Sequence, residues 1–328
     1  MFLKSLKIQH LRNITSAELS FQSNINLITG ANGAGKTSLL EAIYLLGRAK
    51  SFRHGHNSSP IQKGEDQLTL FSKLEDEDAK TIRLGLIKKG KETLVKTDGE
   101  IIKKLSTLAS TLPTVLITPL SHRLLDEGPE HRRRILNWGL FHVEHSYKTV
   151  IGNFSRSLLQ RNNALRSSSS DLSIWNKAFV DYANKVNEQQ CRYFDCWKKE
   201  LLNLSEQINF LDGLDVSFNQ GWKAGENLHD LLKHKEPDDK ERGYTTVGPQ
   251  RADLIFKIDG VESRQILSRG QQKVLIILAM LSQAILLKKT KGKMPVFLLD
   301  DLASELDSKT LGQISTMLYR SGNQLFIT

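Results

Sequence analysis

Residues 30–37 read GANGAGKT, and how this octapeptide is read decides the fold. It matches the pattern GxxxxGK[ST]. The β-rich run INLITG (25–30) precedes it, and TSLLEAIYLLG (37–47), apolar at helical spacing and stopped by Gly47, follows. Strand, glycine loop, helix is the context that makes the pattern a phosphate-binding loop. Glycines let the backbone wrap close to a phosphate, so that successive N–H groups and a helix N-terminus face its oxygens. Lys36 can then reach the outer phosphates, and Thr37 offers a hydroxyl to magnesium.

Two distant segments extend the pattern. VFLLDD (296–301) is apolar on both faces, as a buried parallel strand is, and sets Asp300 at its end. There a carboxylate can hold the magnesium shell through water, and Asp301, next along, can orient or deprotonate an attacking water. LSRGQQ (267–272) puts Ser268 and Gly270 before a long apolar helix. Such a start can simply cap itself. Equally, its N–H groups and Ser268 can hold a γ-phosphate.

Between these motifs the chain changes character. LKSLKIQ (3–9), QLTLFSKL (67–74) and TIRLGLI (81–87) alternate as strands do, and ETLVKTDGE (92–100) carries Asp98-Gly99, a hairpin signal. VLITP (115–119) closes this block. Residues 131–166 read as one long, mostly breaker-free helix, and the serine run 167–170 interrupts the helical pattern. Residues 174–211 are helical again, with Ile174, Phe179, Tyr182 and Val186 in an apolar stripe. VSFNQGW (216–222) reads as strand, KHKEPDDKERG (233–243) as a charged linker, and DLIFKIDG (253–260) as strand. A helix (271–287), the strand VFLLDD, another helix and the strand QLFIT (324–328) complete the chain. The reading is an α/β nucleotide domain made from both ends, with a mainly helical domain inserted: residues 1–120, 121–235 and 236–328.

Composition sets limits on function. The 328 residues carry 46 Lys plus Arg against 36 Asp plus Glu, a formal charge of +10 that favours polyanionic partners. Cys191 and Cys196 lack the spacing of a zinc site and read as unpaired thiols of a reducing compartment. The N-terminus MFLKSLKIQHLRNITS has no secretory signal pattern, and the longest apolar run, VLIILAML (274–281), is short for a membrane span. A cytoplasmic protein without a membrane partner is expected.

GANGAGKT, LSRGQ, VFLLDD and SELD (304–307) together resemble the Walker A, signature, Walker B and D-loop order of the ABC ATPases. In that family the signature helix of one subunit completes the ATP site of the other. The resemblance therefore implies an ATP-dependent homodimer with two shared sites. It also implies the fold class: α/β, an ABC-type P-loop ATPase head with appended antiparallel strands and an inserted mainly helical domain. Within the superfamily, HLRNITSAELSF (10–21), GANGAGKTSLLEAIYLLG (30–47), ITP (117–119), GPEHRRRILNWGLFH (128–142), GPQRADL (248–254) and LLDDLASELD (298–307) resemble the RecF family of bacterial DNA replication and repair proteins. The resemblance covers nearly the whole chain.

Several functional expectations follow from it. ATP would be held by Arg12, Asn13, Gly30, Ala31, Asn32, Gly33, Ala34, Gly35, Lys36, Thr37 and Ser38, and across the dimer by Ser268, Arg269, Gly270 and Gln271, with Asp307 at the seam. Mg2+ would sit on Thr37 and Asp300, and Lys36, Asp300 and Asp301 would act in catalysis. Residues 115–119 would play the Q-loop. The family binds double-stranded or gapped DNA, works with RecR and RecO to help RecA displace single-strand-binding protein, and connects to the SOS response. Leu120, Asn137, Gln250 and Ala252 depart from the usual residues of these motifs. The chain stops at QLFIT, where the family's switch-histidine segment begins, which predicts truncation and impaired hydrolysis.

The basic clusters read two ways. Arg132, Arg133 and Arg134 fit either DNA phosphates or a salt-bridged junction near Leu136 and Trp138, and Lys88, Lys89 and Lys91 fit either DNA or a solvated turn. Two other functions remain open: a module that dimerises on ATP without productive hydrolysis, and an ATPase subunit that energises a transporter. DNA-stimulated turnover separates the leading reading from both.

Overall fold

The computed structural model describes residues 1–53, 59–76, 78–167 and 171–328, so the last three serines of the 167–170 run lie outside the described residues. The chain forms two compact units: Met1–Ser121 with Gly292–Thr328, and His122–Lys291. The change in sequence character places that second boundary at 235/236. In the structure the chain returns to the first unit only at Gly292.

In the first unit, alternation writes the larger sheet. Its antiparallel order is Ile14–Ser20, Phe2–Leu11, Gln67–Glu75, Thr81–Lys89, Glu92–Thr97, Glu100–Ile101. Leu68, Leu70 and Leu74 alternate inward along one strand, and Leu84 and Leu86 along its neighbour. The second sheet is parallel, in the order Ile25–Leu27, Leu325–Ile327, Val296–Leu299, Thr114–Ile117. All four residues of Val296–Leu299 are buried, as expected of an inner strand with covered faces. Between the sheets lies the helix Lys36–Arg48. Its Leu39, Leu40, Ile43 and Leu46 share one core with Leu6, Ile8, Leu70 and Leu86 of the antiparallel sheet and with Val296, Leu298 and Phe326 of the parallel one. Burial of each such side chain contributes about 1.5–3 kcal/mol. At the helix end, a Cβ on Gly47 would stand 2.8 Å from the Leu112 carbonyl, so this residue is small because two backbones touch there.

The second unit is built on the helix Ser173–Ser205, which packs against the helices Tyr147–Arg166 and Arg269–Lys291. A three-stranded antiparallel sheet, Val261–Glu262, Asp253–Ile258, Leu214–Asn219, completes it. The Trp197 indole N–H lies 2.8 Å from Ser282 Oγ, tying two of these helices together. Helix Arg269–Lys291 is long and apolar enough to cross a membrane by length and composition, but 83% of its most apolar stretch is buried within the protein. The helix extends well beyond the apolar run 274–281 at both ends, which is why its length differs from that expected of the run alone.

Three sequence expectations change here. Residues 131–166 are two helices, Pro129–Val143 and Tyr147–Arg166, because Glu144 takes an extended conformation and the chain restarts after Ser146. Ile174 is 73% exposed while Phe179 and Val186 are fully buried, so the apolar stripe starts a turn later than expected. The linker 233–243 is mostly helix, Leu228–Arg242. Asn227 caps its start, Glu236–Lys240 and Lys235–Asp238 pair along it, and Gly243 ends it at φ 70. Its Pro237 argued for a break, but tertiary anchoring through the buried Asp239 outweighs the lost backbone bond.

Candidate functional site

A cavity of about 670 Å³ opens in the first unit, lined by Asn32, Gly33, Gly35, Lys36, Thr37 and Ser38 of the glycine loop, Arg12 and Asn13, Arg53, Asp300, Asp301 and Thr328. The two ends of the chain meet here because the strands Ile25–Leu27 and Val296–Leu299 flank Leu325–Ile327 in one parallel sheet. The glycine loop and Asp300 therefore leave strand ends on the same side of the sheet, one strand apart, where open α/β sheets place their ligands.

The loop conformation needs its glycines. Gly33 and Gly35 sit at φ 80 and φ 99, and a Cβ on Gly35 would press on the Asn13 amide at 3.3 Å. Asn13 is the brace: its Nδ2 donates to the Gly33 carbonyl (2.8 Å), and its Oδ1 accepts from the Ser38 hydroxyl (3.0 Å). Lys36 Nζ donates to the carbonyls of Gly30 (2.8 Å) and Ala31 (3.1 Å), so its ammonium lies across the mouth of the loop. The first turn of helix Lys36–Arg48 leaves amides without intrahelical acceptors, which is the anion-binding half of the arrangement.

The cation-binding half is a pair of oxygens. Thr37 Oγ1 donates to Asp300 Oδ1 at 2.9 Å, and Thr328 Oγ1 donates to the same oxygen at 3.0 Å. Among the described residues no cluster of three or more His, Cys, Asp or Glu could hold a metal. That donor set fits magnesium, which binds through one or two protein oxygens together with phosphates and water. Asp301 takes the left-handed conformation, φ 52 and ψ 54, just past the strand, and its N–H donates to Thr328 Oγ1 at 3.0 Å. A non-glycine residue held there is strained, a feature that clusters at functional sites.

Arg12 lines the cavity, but its guanidinium is already engaged. Nε and Nη2 grip the two oxygens of Glu41 at 3.0 and 2.8 Å, and Nη1 reaches the Ser59 carbonyl at 2.7 Å. Glu41 is fully buried and also holds Arg53 at 3.4 Å and the Ser51 hydroxyl at 2.6 Å. Sequence reasoning missed Glu41 and Arg53. The signal was present: Glu41 is the lone acid among the apolar positions of the P-loop helix, four residues after Thr37.

The remaining expected residues lie outside this cavity. Ser268, Arg269, Gly270 and Gln271 belong to the second unit. Ser268 N–H donates to Gln271 Oε1 (2.9 Å) and Gln271 N–H to Ser268 Oγ (3.3 Å), the reciprocal bonds of a capping box. Ser268 and Arg269 stay exposed. Asp307 caps the helix Ser308–Arg320 by accepting from the N–H groups of Lys309 and Thr310. The bond from the Thr310 hydroxyl, with these backbone bonds, holds its carboxyl below the usual aspartate range.

The arginine triplet has structural partners. Arg132 meets Asp253 with two bonds of 2.8 Å and also donates to the Leu125 and Glu127 carbonyls. Arg133 donates to the Ala252 carbonyl and Arg134 pairs with Glu130 on its own helix. Arg132 and Arg133 are thus tied down inside the second unit, while Arg134 stays on the surface of its own helix. Lys88 Nζ donates to Thr93 Oγ1 across the hairpin.

Comparison with known proteins places the chain in a family. Residues 2–328 match the family described as the RecF/RecN/SMC N terminal domain. The DNA replication and repair protein RecF of Shewanella loihica is 40% identical over 333 residues, covering 100% of this chain and 92% of that protein. Its counterpart from Shewanella sp. strain MR-4 is 42% identical over 334 residues with the same coverage. A solved structure of the recombination mediator protein RecF with ATP, of the RecFOR pathway, superposes with a TM-score of 0.87 at 26% identity, covering 100% of this chain and 91% of that one. Likeness that runs the length of the chain, over a P-loop whose Thr37 meets Asp300 from the far end of the sequence, allows one assignment: the chain belongs to the RecF family of DNA replication and repair proteins.

Proposed function

We propose that the protein is a magnesium-dependent ATPase of recombinational DNA repair, which dimerises on ATP and acts on double-stranded or gapped DNA in the cytoplasm. The observation that carries this reading is the 2.9 Å bond from Thr37 to Asp300 beside the Lys36 ammonium. An ammonium, a row of helix-start amides and a pair of hard oxygens meet in one cavity, which is the chemistry a metal-bound triphosphate requires. Magnesium bound there would neutralise phosphate charge. Lys36 would turn from its two carbonyl partners to phosphate oxygens, and Thr37 and Asp300 would hold the metal with its water shell. Asp301 positions the attacking water.

Ser268, Arg269, Gly270 and Gln271 complete the site of a second copy, with Asp307 at the seam, so that ATP holds the dimer closed on DNA and hydrolysis releases it. Family membership supports work at gaps and stalled forks, with RecR and RecO as partners in loading RecA. Turnover is slow and stimulated by DNA.

The test is sedimentation velocity with ATP and magnesium, joined to a turnover assay with and without gapped duplex. The parent chain should dimerise with ATP, and Asp301→Asn should dimerise and remain so because the water is no longer positioned. An Asp301→Asn chain that stays monomeric with ATP rejects the role given to Asp301, and a parent that binds no ATP rejects the function.

A further inference from the structure

The second unit carries a surface with aromatic and cationic groups in one place. The loop after strand Leu214–Asn219 crosses the segment that follows helix Leu228–Arg242 at backbone contact. Gly248 N–H donates to the Gly221 carbonyl, and a Cβ on Gly221, at φ 96, would stand 2.1 Å from the Gly248 carbonyl. Asn219 Oδ1 also accepts from Gly221 N–H at 2.9 Å. Locked in this way, the loop fixes the next residues, Trp222 and Lys223, beside Arg251 in a groove of about 730 Å³. Trp222 is half-buried, and its indole has no ring or hydrogen-bond partner among the described residues.

The same segment holds Tyr244, 37% exposed, with the Arg251 guanidinium 5.1 Å from its ring centre. Arg242 bonds the phenol, and that bond first, with the charges of Arg242 and Arg251 after it, holds the hydroxyl below the usual tyrosine range. Arg166 reaches the Gly243 carbonyl at 3.2 Å. Among the described residues none of Arg166, Arg242 and Arg251 has a carboxylate within ion-pair distance; Asp238 and Glu241 act on Arg242 only at longer range. Helix Tyr147–Arg166, which delivers Arg166, lies in a 26-residue stretch (145–170) without a single Asp or Glu.

Guanidinium groups left unneutralised favour phosphate, and an open indole beside them favours a flat ring. A duplex supplies the first but keeps its base faces stacked. We propose that this surface binds single-stranded DNA, with an unpaired base on Trp222 and phosphates along Arg166, Arg242 and Arg251. The inference rests on the DNA-acting reading above and adds where the unpaired part of a gap is held. All its groups lie in one unit of one chain, so binding requires neither nucleotide nor a dimer.

The experiment measures fluorescence anisotropy of a labelled oligothymidine and of a blunt duplex of equal length, with the full chain free of nucleotide, across a salt series. Trp222→Ala should weaken oligothymidine binding by about five- to 150-fold, the range for loss of one stacked base, and Trp222→Phe should keep most of it. Arg251→Glu should also weaken it and flatten the salt dependence by about 0.7 per lost phosphate contact. Duplex binding should change little in Trp222→Ala. Unchanged oligothymidine binding in both Trp222→Ala and Arg251→Glu overturns the proposal. So does equal loss on oligothymidine and duplex, or displacement of the oligonucleotide by polyglutamate of equal charge as readily as by unlabelled DNA; the last would mark a surface for acidic protein. ATP-driven dimerisation measured on the same variants separates the two readings. If the parent never dimerises yet binding still depends on Trp222, the ATPase reading falls and this one stands. If dimers form but Trp222 is indifferent, only this one falls.

Discussion

At the residue scale, the site depends on side chains that touch no phosphate. Glu41 is buried and satisfies Arg12, Arg53 and Ser51 together. Glu41→Ala removes the carboxylate that Arg12 and Arg53 share beside the P-loop. Hydrogen bonds to charged groups contribute about 1.5–3 kcal/mol. Arg12 and Arg53 retain some access to water, so the low end of that range is expected in urea unfolding, together with weaker nucleotide binding. A variant with parent-like stability and affinity would show that the carboxylate organises nothing. Asp307 permits a pH test. Its carboxyl is depressed in the folded chain, so its stabilisation is present above the unfolded aspartate value and is lost as pH falls through the folded one. The melting-temperature gap between the parent and Asp307→Ala should therefore be widest at neutral pH and close below about pH 4. A gap constant across that range would remove the carboxylate from the cap. Lys36, Thr37 and Asp300 were legible in the sequence because glycine spacing and an apolar strand are local patterns. The burial of Glu41 was legible too, as a lone acid on an apolar helix, but its partners were not, since they lie in distant loops.

At the element scale, the second unit is joined by a polar centre. Arg161 and Asp239 are both fully buried and meet at 2.8 Å, with Asn176 and Thr245 also on Arg161 and Thr246 on Asp239. These five residues come from three helices and one loop, so the network fixes how the helices Tyr147–Arg166, Ser173–Ser205 and Leu228–Arg242 meet. Breaking a buried pair from one side costs about 3–5 kcal/mol, because the partner charge is left uncompensated. Arg161→Met should fall in that range by chemical denaturation, and the double variant Arg161→Met with Asp239→Leu should recover much of it. If the double variant is as unstable as the sum of the singles, the pair is not acting as a unit. This network also explains why 233–243 misled the sequence reading. Asp239 sits in a run of charges that reads as solvated linker, and only its partner 78 positions earlier shows that it faces inward. The chain break at Glu144 was illegible for the opposite reason, since nothing in residues 131–166 is a helix breaker of glycine or proline type near it.

At the scale of the whole molecule, the two halves of the expected ATP site lie in different units of the chain, Lys36 in the first and Ser268 in the second. The reading that two copies share two sites has a consequence that no single-chain mechanism has. Take one variant that cannot hold phosphate, Lys36→Ala, and one whose signature helix start is blocked, Ser268→Arg. Each alone forms only defective sites. In a mixed dimer, the intact P-loop of the second faces the intact signature of the first, so one of its two sites is whole. Random mixing makes half the dimers mixed, and half their sites whole, so ATP-dependent turnover should return to about a quarter of the parent value. Turnover should then vary with the mixing ratio and peak at equal amounts. Recovery cannot occur if each chain hydrolyses ATP alone. Equal mixtures that remain as inactive as either variant, while both variants still bind each other in sedimentation, would mean that the two sites must fire together or that Ser268 does not serve its partner. An equal mixture of the parent with Asp301→Asn separates these: turnover near half the parent value, rather than the quarter that parent dimers alone supply, with none in the first mixture, removes Ser268 from the shared site.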